Sequence, residues 1–433
     1  MSTTIRVEHL ARVEGHGGIT VEMDGGAVTA VRFDLFEGAR LLESLIRGRS
    51  YEDVAQIVSR ICAICSAAHS LTSIKATEAA FGVEVSPQTH LLRDLLYRGE
   101  NIESHALHLF CLAAPDYLGY PSATALAADH PDAVKTGLRL KKLGNLIQET
   151  IGGRAIHPVN VVPGGFGKLP SADELRALRA GLLHGVEDCK ATLELLSGLP
   201  PADFCHSPTV FAGLDMKGDY GYYAGDEIVV KANGRQRRVR AADYRSLTNE
   251  TPVPHAHAKH SSFDGKPFMV GALARLTVNA LPDDAAASAM RRLGLRLPSG
   301  NPMDNNMAQA VELIYDVGRA LAIVDKLLAE GLNEAPRVPV KPKAGAATAV
   351  TEAPRGLLFH SYAYDADGRI VSADVITPTA INAASIENHF RHAVEQSADK
   401  SVPALTRKLE MIARAYDPCI SCSVHLIQKR GSA

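Results

Sequence analysis

Two Cys-x-x-Cys motifs lie near opposite ends of the chain. The first occupies residues 62–65 and the second residues 419–422, and each is followed by a histidine, His69 and His425. Two residues between cysteines allow both thiolates to bind one metal ion or to close a small redox disulfide. The two pairs can share one metal site only if the fold brings both ends of the chain together in its core.

The spacing of these cysteines leaves more than one chemistry open. A thioredoxin-like redox pair sits in a βαβ unit, which neither motif has around it. Structural zinc sites with four cysteines have their pairs about 15–20 residues apart within one small module, whereas residues 66–418 separate the pairs here. Thiolates suit zinc and redox metals alike, so the spacing alone favours neither kind of metal.

The composition excludes several broad classes of function. The 433 residues carry a formal net charge of −2, which argues against nucleic acid or a membrane surface as the main partner. No apolar run is long enough to cross a bilayer, and the start of the sequence lacks the apolar stretch of a signal peptide. Seven cysteines, an odd number, do not resemble a disulfide framework. We therefore expect a reducing, cytoplasmic location, with Cys111, Cys189 and Cys205 as small buried side chains.

Local patterns predict the elements that position the first cysteine pair. Strands with a hairpin turn at residues 24–26 are predicted between about residues 5 and 35. A helical pattern over residues 39–61 brings Cys62 to its end. Further along, Ser86 before a proline predicts the start of a long core helix, and Ser171 with its capping box predicts another.

The second half of the chain alternates small β structure with helix. Residues 218–253 predict a β-rich excursion built on an Asn-Gly hairpin, and residues 305–331 predict a helix. Residues 332–351 are rich in Pro, Ala and Lys without periodicity, which predicts a surface connection. A hairpin over residues 357–376 and a last helix lead to Asp417. We therefore predict an α+β fold, predominantly α, in which one domain of residues 1–433 contains a central bundle of long helices with small marginal β-sheets and hairpins.

The residues around the cysteines resemble those of one family. Arg-Ile-Cys-x-Ile-Cys-x-x-x-His at residues 60–69, together with Asp-Pro-Cys-x-x-Cys-x-x-His at residues 417–425, is similar to the large, catalytic subunit of [NiFe]-hydrogenases. The resemblance covers nearly the whole chain. Its other motifs, in order, are Arg12–His16, Gly152–Arg154, His157–Pro158, Gly164–Gly165, Glu352–Gly356, Thr377–Thr379 and Asn382.

This resemblance implies a set of metal ligands. Cys62 and Cys419 would bind nickel terminally, while Cys65 and Cys422 would bridge nickel to an iron that carries cyanide and carbon monoxide. Thiolates are soft, strongly donating ligands that suit such a centre. The implied reaction is the reversible heterolytic cleavage of dihydrogen to protons and electrons.

The resemblance also implies roles for residues around the metals. Pro354, Arg355 and Thr379 would line the diatomic ligands of the iron. Arg355 would donate to a cyanide nitrogen or lie over the metals as a catalytic base or electrostatic anchor, and Thr379 would donate to the second cyanide. His69 would donate to a bridging sulfur. Glu14 would pass protons to and from a terminal cysteine. Glu43 and His425 would share a magnesium-like cation.

The sequence departs from the common family pattern at four places. Ala63 replaces a glycine, Ser104 stands where many relatives have an aspartate, and Ile381 replaces a frequent tryptophan. The fourth departure is the tail of residues 426–433, which continues after the final histidine. In the family a maturation protease removes such an extension once nickel-insertion factors have loaded the metals.

The resemblance favours the cytoplasmic, bidirectional branch of the family, which couples dihydrogen to NAD(P) or a similar carrier through separate subunits. The sequence offers neither a phosphate-binding Gly-rich loop nor spare cysteines for an iron–sulfur cluster. Electrons would therefore leave through an iron–sulfur small subunit, with diaphorase (flavin and iron–sulfur) subunits beyond it. Two alternatives are a dihydrogen-sensing or structural metal–thiolate protein, and a relative of the quinone-site subunit of complex I, which lacks the paired cysteines.

Overall fold

Helices make up about half of the computed structural model, which describes residues 2–38, 41–217, 220–280, 283–332 and 335–424. In chain order the helices are α1 (Leu42–Ile46), α2 (Tyr51–Val58), α3 (Ser66–Phe81), α4 (Pro87–Leu107), α5 (Ala114–Leu118), α6 (Ala123–Asp129), α7 (Pro131–Gly152), α8 (Ala172–Ser197), α9 (Tyr244–Thr248), α10 (Ala272–Val278), α11 (Asp284–Arg292), α12 (Asp304–Glu330), α13 (Pro378–Gln396), α14 (Val402–Ala415) and α15 (Ile420–Ser423). Short 3-10 helices cover Ser59–Ile61 and Ala241–Asp243, and a π-helical turn covers His108–Ala113. Among the helices described, none has the length and apolarity that a membrane span requires.

Small sheets lie at the margin of this helical body. Their strands are β1 (Ser2–Val7), β2 (Gly17–Asp24), β3 (Ala27–Leu35), β4 (Val161–Val162), β5 (Gly165–Phe166), β6 (Val210–Leu214), β7 (Glu227–Ala232), β8 (Arg235–Arg240), β9 (Phe268–Met269), β10 (Gly345–Ala353), β11 (Gly356–Tyr364) and β12 (Ile370–Ile376). The sheet orders are β1-β2-β3, β10-β11-β12, β4-β5 and β8-β7-β6-β9, with antiparallel pairs except β6 and β9. The predicted α+β, predominantly helical fold class is confirmed.

The centre of the fold is a bundle in which α4 packs on α7 and α12, and α8 packs on the same two helices. Glycines allow the close approach of α4 and α7. A Cβ atom added to Gly144 would lie 2.5 Å from the carbonyl oxygen of Gly99, which no side chain tolerates. The apolar stripes of these helices are buried, including Leu95 and Ile102 of α4. Helix packing of this kind provides the rigid core on which the cysteine-bearing segments rest.

Buried ion pairs cross this bundle. The guanidinium of Arg275 donates to both oxygens of Glu312 at 2.7 Å and to Glu352 at 3.0 Å, and all three side chains are fully buried. Arg275 also donates to the carbonyl oxygens of Ala353 at 3.0 Å and Pro354 at 2.9 Å. Buried charges persist only when they are paired and hydrogen-bonded. This network therefore fixes the turn between β10 and β11, where Pro354 lies.

Several local predictions agree with the structure. The Ser86 hydroxyl accepts from the Thr89 N–H at the start of α4, and Ser171 forms a complete capping box at the start of α8. The Asn233-Gly234 turn joins β7 to β8 inside the predicted excursion of residues 218–253. The treatment of residues 1–433 as a single domain stays a prediction.

Two local predictions were wrong. Residues 332–351 were expected to form a surface connection, but Gly345 begins β10, whose later residues are buried and pair along all of β11. The segment was not predicted as a strand because its first residues are small and show no alternation of apolar and polar side chains. It becomes a strand by pairing with β11, which follows it in the chain. The helical pattern over residues 39–61 is also broken into α1 and α2, because Arg47 is extended and Gly48 has φ of +77°.

Candidate metal centre

Four cysteine sulfurs converge in the core. The Sγ atoms of Cys62 and Cys419 are 3.0 Å apart, those of Cys65 and Cys422 are 3.5 Å apart, and those of Cys419 and Cys422 are 3.1 Å apart. All four side chains are buried and none forms a disulfide. The fold thus brings the two motifs from opposite ends of the chain into one four-sulfur cluster.

The first pair sits between two helices. The 3-10 turn Ser59–Ile61 follows α2, and Cys62 then turns extended, while Cys65 caps the N-terminus of α3. The Cys65 N–H donates to the Cys62 sulfur at 3.3 Å. Ala63 is not among the residues with positive φ, so an alanine meets no backbone strain where relatives have glycine.

The second pair follows the end of α14 after a sharp change of direction. Asp417 adopts a left-handed conformation with φ of +51°, which ends the helix and points the chain inward. The Cys419 N–H then donates to the hydroxyl oxygen of Thr379 at 2.9 Å, and the Ile420 N–H donates to the carbonyl oxygen of Glu14 at 2.9 Å. The second pair is therefore held by α13 and by the N-terminal segment.

Burial and mutual contacts shift the pKa values of the clustered cysteines. Burial raises the pKa of Cys422, and hydrogen bonds with the neighbouring thiols raise that of Cys419. For Cys62 the hydrogen bonds from those thiols and the nearby Arg355 outweigh the effect of burial and lower its pKa. Holding all four cysteines as thiolates in this buried cluster would require metal charge to compensate them. Four convergent soft donors fit a nickel–iron pair.

Arg355 lies in the wall of this cluster. Its Nε donates to the Asp417 carbonyl oxygen at 2.7 Å, its Nη2 to Asp417 Oδ1 at 2.7 Å, and its Nη1 to the Ser104 hydroxyl at 3.1 Å. Burial opposes the charge, but Asp417 and the cysteine sulfurs raise the pKa of Arg355 well above its usual value. Gly356 beside it has φ of +130°, and a Cβ there would lie 2.5 Å from Val270. The guanidinium is thus a fixed, charged group.

His69 belongs to a buried polar chain. Its Nδ1 lies 3.0 Å from His360 Nε2, and His360 Nδ1 lies 2.5 Å from the hydroxyl of Tyr362. Burial lowers the pKa of His69 to about 4, so the ring is neutral at ordinary pH. The other ring nitrogen of His69, Nε2, is buried without a hydrogen-bond partner. An unpaired buried nitrogen is costly, so Nε2 is available to a partner such as a cysteine sulfur or a water molecule.

Glu14 contacts the second cysteine pair directly. The Cys419 thiol donates to Glu14 Oε2 at 3.1 Å, and the Ser421 N–H donates to the same oxygen at 3.1 Å. A β-bridge joins Glu14 to Cys419. A carboxylate at this distance can exchange a proton with the sulfur without any intervening water.

Glu43 lies on the other side of the cluster. Its Oε1 accepts from the Val375 N–H at 2.8 Å, and it lines a cavity of about 290 Å³ that Cys422 and Val424 also line. The second predicted ligand of this cation, His425, lies outside the described residues. A carboxylate beside a cavity is a suitable ligand for a hard cation.

Comparison with known proteins places this site in a family. The family profile described as nickel-dependent hydrogenase matches residues 40–148 and 220–425, and a profile described as HoxL-like matches residues 4–37. The chain belongs to the nickel-dependent hydrogenases, as a catalytic large subunit. This assignment confirms the family predicted from the cysteine motifs.

The similarity of this hydrogenase to its relatives extends over the full chain. Sulfhydrogenase 1 subunit alpha of Pyrococcus furiosus is 39% identical over 98% of this chain and 98% of its own length. Sulfhydrogenase 2 subunit alpha of the same organism is 37% identical over 98% and 99%. The crystal structure of an NAD+-reducing [NiFe]-hydrogenase is 28% identical with a TM-score of 0.87, covering 98% of this chain and 99% of that chain.

Some residues of the hydrogenase site were not identified from its sequence. Asp417 belongs to the second cysteine motif, but its hydrogen bonds with Arg355 were not predicted. They depend on the left-handed backbone at Asp417, which nothing in the sequence indicates. His360 lies in β11, and its contact with His69 arises only because β11 packs against α3. Glu100 accepts from the backbone N–H groups of residues 67 and 68, and burial raises its pKa well above the usual value. The one indication in the sequence was the position of Glu100, one helical turn before Ser104 on the same helix face.

Proposed function

We propose that this hydrogenase cleaves dihydrogen reversibly with nickel bound terminally by Cys62 and Cys419 and bridged to iron by Cys65 and Cys422. The observation that carries the proposal is the convergence of four buried sulfurs, whose neighbouring Sγ atoms lie 3.0 to 3.5 Å apart. When bound, the metal pair, with carbon monoxide and cyanide on the iron, supplies the site at which dihydrogen is split. The protein residues hold the metals, exclude water and move protons.

Infrared spectroscopy combined with metal analysis tests this proposal. The purified protein is expected to hold one nickel and one iron per chain and to display the stretching bands of bound carbon monoxide and cyanide. Zinc as the sole metal, or a folded, metal-free protein whose chain already ends at His425, would contradict the proposed centre. Metal content and infrared bands report the site even before an electron acceptor is known.

Proton transfer is proposed for Glu14. Because its carboxylate accepts from the Cys419 thiol at 3.1 Å, a proton on that sulfur can move to Glu14 Oε2 in one step. The Ser421 N–H fixes the same oxygen toward the sulfur. Glu14 therefore provides the first proton acceptor outside the metals.

A Glu14→Gln variant is expected to lower turnover on the order of 100-fold or more while the infrared bands stay unchanged, because an amide cannot carry the proton. The measurement is dihydrogen–deuterium exchange alongside the infrared spectrum. Glu8→Gln, at an exposed glutamate of the same N-terminal segment, serves as the matched control and should exchange normally. Normal exchange in Glu14→Gln would show that Glu14 does not carry the proton and would overturn this assignment.

Arg355 and Thr379 are proposed to face the diatomic ligands of the iron. The Thr379 oxygen already accepts from the Cys419 N–H at 2.9 Å, so its own hydrogen is available to donate. Arg355 is held by Asp417 and Ser104, and Arg275 fixes the carbonyl of Pro354 before it. Rigid donors of this kind suit ligands that must stay in one orientation. His69, with its unpaired Nε2, is proposed to donate to a bridging sulfur.

A magnesium-like cation bound by Glu43 and His425 is a further part of the proposal. Val424 is buried and shares its cavity with Glu43, so the chain reaches this place directly after the second cysteine pair. Carboxylate, imidazole and water make a site for a small hard cation.

The mature chain is expected to end at His425. Lys429 and Arg430 in the tail would cost several kcal/mol each if buried unpaired next to the metals, so removal of residues 426–433 is favoured. Intact-mass measurement of the active protein decides this expectation. A full-length chain with normal activity would mean that the tail is not a maturation signal.

The electron route is proposed to leave this chain through an iron–sulfur small subunit. In support, the four-sulfur cluster uses Cys62, Cys65, Cys419 and Cys422, and no other cysteine of the described residues joins it. The match to the structure of an NAD+-reducing [NiFe]-hydrogenase supports NAD(P) as the final acceptor. Diaphorase subunits and a cytoplasmic location are further parts of the proposal. Co-purification of a flavin-containing partner, and reduction of NAD or NADP by dihydrogen, would test this assignment.

A further inference from the structure

A second group of metal-ligand side chains lies outside the four-sulfur cluster. His255, His260 and Glu387 each place one ligand atom within 4.8 Å of the others. Glu387 belongs to α13, whereas both histidines belong to the loop after residue 250. The three residues share none of the ligands or contacts described for the proposed nickel–iron centre.

Only one of the two histidines is hydrogen-bonded to the carboxylate, which leaves the other nitrogen free for a metal. His255 Nε2 lies 2.7 Å from Glu387 Oε1, but His260 Nε2 lies 3.7 Å from the same oxygen, which is too long for a hydrogen bond. His260 Nε2 is buried and has no hydrogen-bond partner. The two imidazole rings are 5.6 Å apart and steeply inclined, so both can direct a nitrogen to a common point.

The environment prepares these groups for a cation. The N–H of Phe33 in β3 donates to Glu387 Oε1 at 2.8 Å, which orients the carboxylate as an outer hydrogen bond does at known metal sites. A neutral imidazole with an unpaired ring nitrogen, such as Nε2 of His260, has a lone pair to donate to a metal. His255 lines an open surface cavity with Asp34 and Glu22, which gives a cation access.

We propose that His255, His260 and Glu387 bind one divalent transition cation of the zinc class, with water at the remaining position. Two imidazoles and one carboxylate are a donor set that zinc accepts in proteins. Magnesium and calcium prefer oxygen donors and are not expected here.

The location of the site gives the cation a structural role. The loop that carries both histidines pairs with itself through Thr251 and His260, and its Ala258 forms a β-bridge with Val424. A metal that joins this loop to α13 would therefore fix the surface against which Val424 rests, just after the second cysteine pair. The cation stabilises this end of the site and takes no part in the redox chemistry.

Zinc and cobalt binding tests the proposal on the purified, nickel-loaded protein with its subunits. After chelation and incubation with Zn2+, the wild type is expected to hold one zinc per chain, and His260→Gln and Glu387→Gln to bind it about tenfold or more weakly. Glutamine preserves size and polarity at both positions, so folding is conserved. His257→Gln is the matched control, because its ring contacts only the Glu37 carbonyl oxygen and lies outside the group.

Cobalt distinguishes this site from the cysteines. Co2+ bound by His255, His260 and Glu387 should lack the sulfur-to-metal charge-transfer bands that a thiolate-bound ion displays. Added Zn2+ should raise the Tm of the chelated wild type and of His257→Gln, but not that of His260→Gln. A wild type that binds no zinc or cobalt beyond the cysteine site, or equal binding by the Gln variants, would reduce the group to an ion pair of His255 with Glu387 and overturn the proposal.

Discussion

Replacing Cys65 or Cys422 by serine is expected to abolish hydrogen oxidation altogether. These sulfurs lie 3.5 Å apart in the buried cluster, and we assign them as the bridges between the two metals. A serine hydroxyl stays protonated at neutral pH and is a harder, weaker ligand for nickel, so it replaces neither the donor nor the bridge. The measurements are dihydrogen uptake with an artificial acceptor and the nickel-to-iron ratio of the purified variants.

Cys111→Ser provides the matched control for these variants. Cys111 is partly buried in the π-helical turn and does not join the four-sulfur cluster. Its replacement by serine should leave uptake and metal content at the wild-type level. Full activity in Cys65→Ser or Cys422→Ser would remove these residues from the bridge and overturn the proposed ligand set.

An Arg355→Lys variant is expected to lose on the order of 100-fold or more in turnover while it retains nickel and iron. Lysine keeps the positive charge but lacks the planar fork that contacts Asp417 twice and Ser104 once. The lysine ammonium group can make only some of these three hydrogen bonds. Asp417 and the charged group beside the metals are then no longer held in one position. Turnover per nickel, metal content and the infrared bands are measured on the same preparation.

Arg93→Lys is the control that separates this role from general stability. Arg93 is also fully buried and makes a two-fold contact with a carboxylate, Glu78, at 2.7 and 2.8 Å. We expect that variant to unfold at lower temperature but to keep its turnover per nickel. If the metal content of Arg355→Lys fell in proportion to its activity, Arg355 would be a structural residue of the centre.

The sequence predicted the helix starts and the hairpin turn, because interactions between residues close in the chain determine them. Helix starts at Ser86 and Ser171 and the turn at Asn233-Gly234 follow from short-range hydrogen bonds and backbone preferences. Strand β10 was missed because its small residues become a strand only when β11 covers them. The break between α1 and α2 was missed because a helical pattern of side chains does not reveal an extended residue at Arg47.

The same division applies to the site. The four cysteines, Arg355 and Glu14 were predicted because motifs carry them, and the structure brings all of them together. The pairing of Arg355 with Asp417, and of His69 with His360, joins residues far apart in sequence through packing alone. Such contacts have no local signature, so they required the fold. The roles of these residues remain the proposals that the variants above are designed to test.

The meeting of both chain ends also sets the order in which the centre can be made. Cys62 and Cys419 touch across a separation of 357 residues. At a synthesis rate of about 5–20 residues per second, the first pair leaves the ribosome on the order of 20 to 70 s before the second. During that interval two thiols are exposed to oxidants and to stray zinc without their partners. The second cysteine pair, which is synthesised long after the first, therefore completes the set of four sulfurs.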